Sequence, residues 1–211
     1  MTLIPELLSL SLSFAFCLSH SLLASQTLKE LTPVNPQTYR ILYVVVASVV
    51  FLVVTSLNLV LAVAPDHTEF SPLVLADAPI SALINLLSVI GILIVAGSLL
   101  QTNPLKFAGI IPETLEKDLR IDFFYRWARH PMYFGALMMF LPGLVVSTNA
   151  VLLIQNLIFS LYFVFGAVAE ERRMSKIMSG YAEYMSSRGF LFPWKPSHFK
   201  ILFAKLTIGR S

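Results

Sequence analysis

Cysteine is nearly absent from the 211 residues, and charge is scarce. A single cysteine, Cys17, rules out a disulfide framework and any thiolate zinc site built within one chain. Charged residues make up 13% of the chain, about half of what an ordinary soluble domain carries, so a chain this size cannot cover a soluble surface with charge. With 56% hydrophobic residues, disordered and fibrous classes are excluded as well. G-x-G-x-x-G and the phosphate-binding P-loop are both missing, which removes the soluble Rossmann-type methyltransferase fold. H-E-x-x-H is missing too, so nothing suggests a metalloprotease. No internal repeat is visible, against a transporter built from inverted repeats.

What the chain does have is long uncharged runs. Between Glu6 and Lys29 lie 22 residues without a formal charge, between Arg40 and Asp66 lie 25, and between Asp77 and Lys106 lie 28. A fourth run, between Arg129 and Glu170, has 40. About 20 apolar residues cross a bilayer as a helix, so the fourth run holds two spans, divided by the turn cluster Ser147-Thr148-Asn149. The expectation is an all-α polytopic membrane protein forming one domain over 1–211. Its five spans lie near 4–26, 40–64, 79–101, 131–147 and 150–169, the fourth short and bent at Pro142. The first block has no basic leader and no small-x-small cleavage site, so it reads as a retained helix rather than a signal peptide. Residues 195–211 mix apolar residues with lysine and read as a short interfacial helix.

Orientation follows from Lys and Arg. The loop 65–78 has none. The loop 102–130 holds Lys106, Lys117, Arg120, Arg126 and Arg129, and eight basic residues follow Glu171. The N-terminus is expected outside and the C-terminus in the cytoplasm. With basic residues set between apolar blocks, the formal charge of +3 points to the lipid bilayer as partner and away from nucleic acid.

The polar residues that could carry chemistry gather on the cytoplasmic side. A hairpin over 131–169 brings its ends together, so Arg129, His130 and Tyr133 should lie near Glu170, Glu171 and Arg172. Pro131 suits the first turn of a helix and places His130 at its cap. Helix N–H groups favour a carboxylate, the glutamates favour an ammonium or sulfonium, and Trp127, Tyr133, Tyr181 and Tyr184 offer aromatic faces. S-adenosylmethionine carries all of these groups. Against this, the glutamate–arginine run can equally be a solvated helix end, Tyr181 and Tyr184 can be interfacial anchors, and His20 can be a hydrogen-bonded packing residue. Cys17 reads as inert packing, and His67 and His198 lack ligand-like partners.

Two families resemble parts of the chain. Arg129-His130-Pro131-x-Tyr133-x-Gly135, the pair Glu170-Glu171, Tyr181-x-x-Tyr184 and Pro193 resemble the isoprenylcysteine carboxyl methyltransferase-like group, which includes phospholipid methyltransferases. The resemblance covers about 120–194. It implies an S-adenosylmethionine pocket lined by Arg129, His130, Pro131, Tyr133 and Gly135, with Glu170 and Glu171 opposite and Tyr181 and Tyr184 behind, acting on a small lipophilic acceptor. The chain departs from that group at Gly180 and after Arg188, where the pocket lid would be. In the other half, Ser19-His20-Ser21-Leu22-Leu23-Ala24-Ser25, Tyr39-Arg40-Ile41-Leu42-Tyr43 and Asn103-Pro104-Leu105-Lys106-Phe107-Ala108-Gly109 resemble the NnrU-type membrane proteins. That group includes a carotene cis-trans isomerase. The resemblance implies haem b held by His20 and His130. Methyl transfer from S-adenosylmethionine is the first reading, haem binding of the NnrU type the alternative, and a membrane scaffold without catalysis the third.

Overall fold

The computed structural model describes residues 3–64, 67–69, 77–111 and 123–192. The elements are α1 (Ile4–Leu23), α2 (Gln26–Leu31), α3 (Pro36–Ala62), α4 (Ala78–Gln101), α5 (Pro104–Phe107), a 3₁₀ turn (Phe123–Arg126), α6 (Pro131–Val146), α7 (Ala150–Ile177) and α8 (Tyr181–Ser187). Among the described residues, β-pairing is confined to two isolated bridges, Glu69 with Asn149 and Ala128 with Gly189. The protein is an all-α polytopic membrane protein. Four helices, α1, α3, α4 and α7, are long and apolar enough to cross a membrane, and α6 is a shorter apolar helix.

Polar caps set the helix starts. Ser25 accepts from Leu28 N–H, Asp77 from Ile80 N–H, and Asn149 from Val151 and Leu152 N–H. Proline occupies the first turn of α1, α3, α4, α5 and α6, where its missing N–H costs nothing. Several boundaries differ from the sequence reading, and the second span runs Pro36–Ala62 rather than 40–64. The first span stops at Leu23, because Ser25 caps a separate short helix. The fifth runs on to Ile177 rather than 169. Glu170, Glu171 and the arginines after them are therefore in the last turns of α7, at a helix end as the sequence allowed. Helix α6 continues through Pro142. Lys117, Arg120, Pro193, His198 and the segment 195–211 lie outside the described residues.

Helix α7 is central. It packs against α6 on one side and against α1 and α3 on the other, and α4 packs chiefly against α6. Phe16, Cys17, Val54, Phe140 and Phe159 form the main buried cluster. Large apolar side chains elsewhere face outward, among them Leu52, Leu93 and Phe165, a surface suited to lipid rather than water. One face of α1 is polar at helical spacing: Glu6, Ser9, Ser13 and His20. The two serines are fully buried. Ser9 Oγ donates to the Val151 carbonyl at 3.1 Å, and Asn58 Nδ2 donates to Ser13 Oγ at 3.2 Å. Hydrogen bonds between helices thus hold α1 against α7 and α3, as membrane helices commonly require.

Candidate functional site

The hairpin of α6 and α7 brings two stretches, separated by 40 residues, to one place. His130 is the cap residue of α6, but its side chain caps nothing. Its backbone N–H donates instead to the Phe190 carbonyl at 3.1 Å, and Arg129 N–H donates to the Gly189 carbonyl at 2.9 Å. The chain leaving α8 thereby lies beside the chain entering α6. A left-handed Gly180 (φ 77°) makes the turn from α7 into α8 possible.

Arg129 and His130 both reach Glu171. Arg129 Nη2 donates to Glu171 Oε1 at 2.7 Å, and His130 Nε2 stands 3.2 Å from Oε2. The other guanidinium nitrogen, Nη1, donates to the carbonyls of Met185 at 2.9 Å and Arg188 at 2.6 Å. The Arg129 guanidinium also sits 5.7 Å from the Phe190 ring centre. The pair is largely out of water, with side chains 10% and 13% exposed. His130 is 5% exposed and packs edge-on against Phe190 and Tyr133. Burial lowers its pKa below the ordinary histidine range, and the nearby Glu170 and Glu171 only partly oppose this. Its resting form is therefore the neutral imidazole. Glu170 stands within interaction range of His130 and of the Tyr133 hydroxyl. Tyr133 lies over Gly166, where a Cβ would meet its ring at 3.0 Å.

Tyr181 and Tyr184 are buried beneath this cluster, their rings 5.8 Å apart. Tyr184 donates to the Tyr125 carbonyl at 2.8 Å and so ties α8 to the 3₁₀ turn. Burial raises both phenols to about 12, so they stay protonated. Pro131 is buried at the start of α6. Gly135 looks the other way. A Cβ there would come within 2.7 Å of the Gly91 carbonyl, so its place is the α4–α6 crossing. A cleft of about 350 Å³ opens between α7 and α8, with Arg129, Glu171, Arg172, Ser175 and Phe190 on its walls. On the far side of the Ala128–Pro131 segment, an apolar cleft of about 250 Å³ lies beside Phe123, Phe124 and Trp127.

His20 has a setting of its own. Its Nε2 is 2.8 Å from the Tyr43 hydroxyl, and its Nδ1 is 2.5 Å from the Tyr162 hydroxyl. Ser21 Oγ donates to Tyr162 at 3.3 Å. Tyr43 stands in one of the NnrU-type motifs without a role there, and no motif singles out Tyr162. The available signal was weak: Tyr162, Gly166 and Glu170 recur at helical spacing on α7, and Tyr43 sits one turn after Tyr39.

The family model for NnrU protein matches residues 7–206. The chain belongs to the NnrU family. No curated protein and no solved structure matches the chain. The NnrU match takes in both the N-terminal motifs around His20 and the hairpin mouth, so the two halves are parts of one family unit. The methyltransferase resemblance of the second half has no counterpart in these comparisons. The partners of the His67 ring are near in sequence, the Ala64 carbonyl and the Glu69 carboxylate, both acceptors. Cys17 is free and buried. Among the described residues, no group of three or more His, Cys, Asp or Glu could hold a metal ion.

Proposed function

We propose that this NnrU-family protein works on a small lipophilic molecule drawn from the bilayer, with the mouth of the α6–α7 hairpin as its ligand site and His20 and His130 as its working histidines. One observation carries the reading: Arg129, His130 and Glu171 converge from the two ends of the hairpin and are buried together. Charges at a membrane border are easily left in water, and burying them is costly unless they are paired. A cluster assembled across the hairpin at that cost is best explained by a ligand.

The kind of ligand follows from the charges. The cluster holds two carboxylates, Glu170 and Glu171, against one guanidinium, with His130 neutral; Arg172 stands on the exposed rim. The cleft itself carries Arg129 and Arg172 against Glu171, with Glu170 close by, so it offers both signs of charge and suits a zwitterion. S-adenosylmethionine fits: Glu170 and Glu171 would take its sulfonium or ammonium, Arg172 and Ser175 its carboxylate, and Phe190 its base. When bound, it would supply a methyl group. The protein's share would be to position donor and acceptor and to keep water out.

Haem b between His20 and His130 would have to displace hydrogen bonds that the imidazoles already make. Nε2 is the imidazole nitrogen farther from the main chain, and on both residues it is taken, by Tyr43 and by Glu171. His20 Nδ1 is taken as well.

The test is calorimetry with S-adenosylmethionine on detergent-purified full-length protein, alongside an absorption spectrum. Binding is expected, weakened about tenfold or more by Glu171→Gln, the equivalent of losing one charge-assisted contact. No binding to the wild type overturns the cofactor assignment. A strong porphyrin band that His20→Ala removes would replace it with haem.

A further inference from the structure

The geometry points to Tyr43, His20 and Tyr162 as an intramembrane proton-exchange site, passing a proton between the exposed Ser21 hydroxyl and a bilayer-borne molecule with an acidic or basic atom. This rests on the reading above for the nature of the substrate, but not for the exchange itself.

A neutral imidazole has one N–H and one bare nitrogen. Here each faces a hydroxyl, at 2.8 Å and 2.5 Å. A hydroxyl can donate or accept, so both tautomers of His20 keep both hydrogen bonds. In one, Tyr162 donates to Nδ1 and Nε2–H donates to Tyr43. In the other, Tyr43 donates to Nε2 and Nδ1–H donates to Tyr162. Two states with the same bonds and the same neutral charge lie close in energy, which a packing histidine with a single carbonyl partner would not achieve.

Conversion between the states moves one proton along the row. The O–H bond of Tyr162 breaks as N–H forms at Nδ1. The Nε2–H bond breaks as that proton joins the Tyr43 oxygen, and the proton Tyr43 held leaves to a basic atom of the substrate. Tyr162 is refilled from its other neighbour. Ser21 donates to it and is itself exposed, so the incoming proton arrives through the Ser21 hydroxyl. One proton enters and one leaves. The exit is at Tyr43 because α3 faces lipid there: Leu42 is 53% exposed and Val46 44%. One turn before His20, the rings of Phe16, Phe51, Phe140 and Phe159 close off the interface, so the row opens on the side away from that cluster.

Nitrogen NMR on full-length protein with ¹⁵N-labelled histidine tests this, the His20 resonances being identified by their loss in His20→Gln. In the wild type, Nδ1 and Nε2 should both give shifts averaged between protonated and bare values. Tyr43→Phe and Tyr162→Phe keep the rings and each remove one hydroxyl, so each should collapse the average onto one tautomer, and onto opposite ones. A single fixed tautomer in the wild type, or averaged shifts that neither variant changes, would overturn the proposal. The measurement uses no ligand, so it stands whether or not S-adenosylmethionine binds, and its failure leaves the calorimetric result intact.

Discussion

Glu171 spends both oxygens on partners from the other end of the hairpin, and this makes Arg129 hard to replace. Arg129→Met would leave a buried carboxylate facing only a neutral imidazole and strip two carbonyls of their donor. Removing one partner of a buried ion pair costs about 3–5 kcal/mol. Arg129→Met should therefore lower the thermal midpoint in detergent strongly. The double variant Arg129→Met/Glu171→Gln should recover part of the loss, and additive losses would show that the two residues are not coupled. His130 carries a pH signature. Its folded pKa lies below its unfolded value of about 6.5, so the unfolded chain binds the extra proton first as pH falls. Its burial thus adds stability that is complete above about pH 6.5 and is lost as pH drops towards the folded pKa. His67 works in the opposite sense, since the Ala64 carbonyl raises its pKa and its contribution is lost as pH rises. In a His67→Gln background, the midpoint should fall from about pH 7 to about pH 5, and adding His130→Gln should flatten that fall.

Helix α4 depends on one close approach. A Cβ on Gly91 would lie 2.5 Å from the Gly135 carbonyl, and one on Gly135 would lie 2.7 Å from the Gly91 carbonyl. Because the obstacles are backbone atoms, neither helix can yield locally. Gly91→Val should separate α4 from α6 and destabilise the protein by about 1–3 kcal/mol, as overpacking does, read as a lowered thermal midpoint. Leu93 on the same helix is the control: it points outward, so Leu93→Ala should be nearly silent. This crossing also explains where the sequence could and could not be read. Spans, the hairpin turn at Asn149 and the meeting of Arg129 and His130 with the glutamates were legible, because length, charge and a short turn dictate them. The direction in which Gly135 faces was not, since a glycine carries no pattern of its own and its partner, Gly91, lies on another helix. The phenols around His20 were hidden for the same reason: they come from α3 and α7, and only the packing of three helices brings them to one imidazole.

For the whole molecule, the sequence assigns a side to each end. The loop 65–78 has no Lys or Arg, whereas eight follow Glu171, and carrying such residues through a bilayer centre costs about 2.5–3.5 kcal/mol each. The orientation should therefore be uniform, with the mouth in the cytoplasm. In a Cys17→Ser background, Val63→Cys at the exposed end of α3 should react with an impermeant thiol reagent on intact cells, and Lys176→Cys on α7 should not. The reverse pattern would put the cluster outside and remove its access to a cytoplasmic cofactor.

The parallel pairing of Ala128 with Gly189 also fixes an order of events in the making of the protein. The chain must enter the membrane, turn, come back out and form α8 before the Gly189 and Phe190 carbonyls exist to receive Arg129 and His130. During synthesis the residues at the entrance of α6 emerge well ahead of the segment that holds them. Until then Arg129 has no Met185 or Arg188 carbonyl, and the carboxylate on α7 is the first partner it meets. Assembly of the mouth thus reports that both helices of the hairpin have been inserted and turned the right way round. A nascent chain halted before Gly189 would carry every span and no finished site.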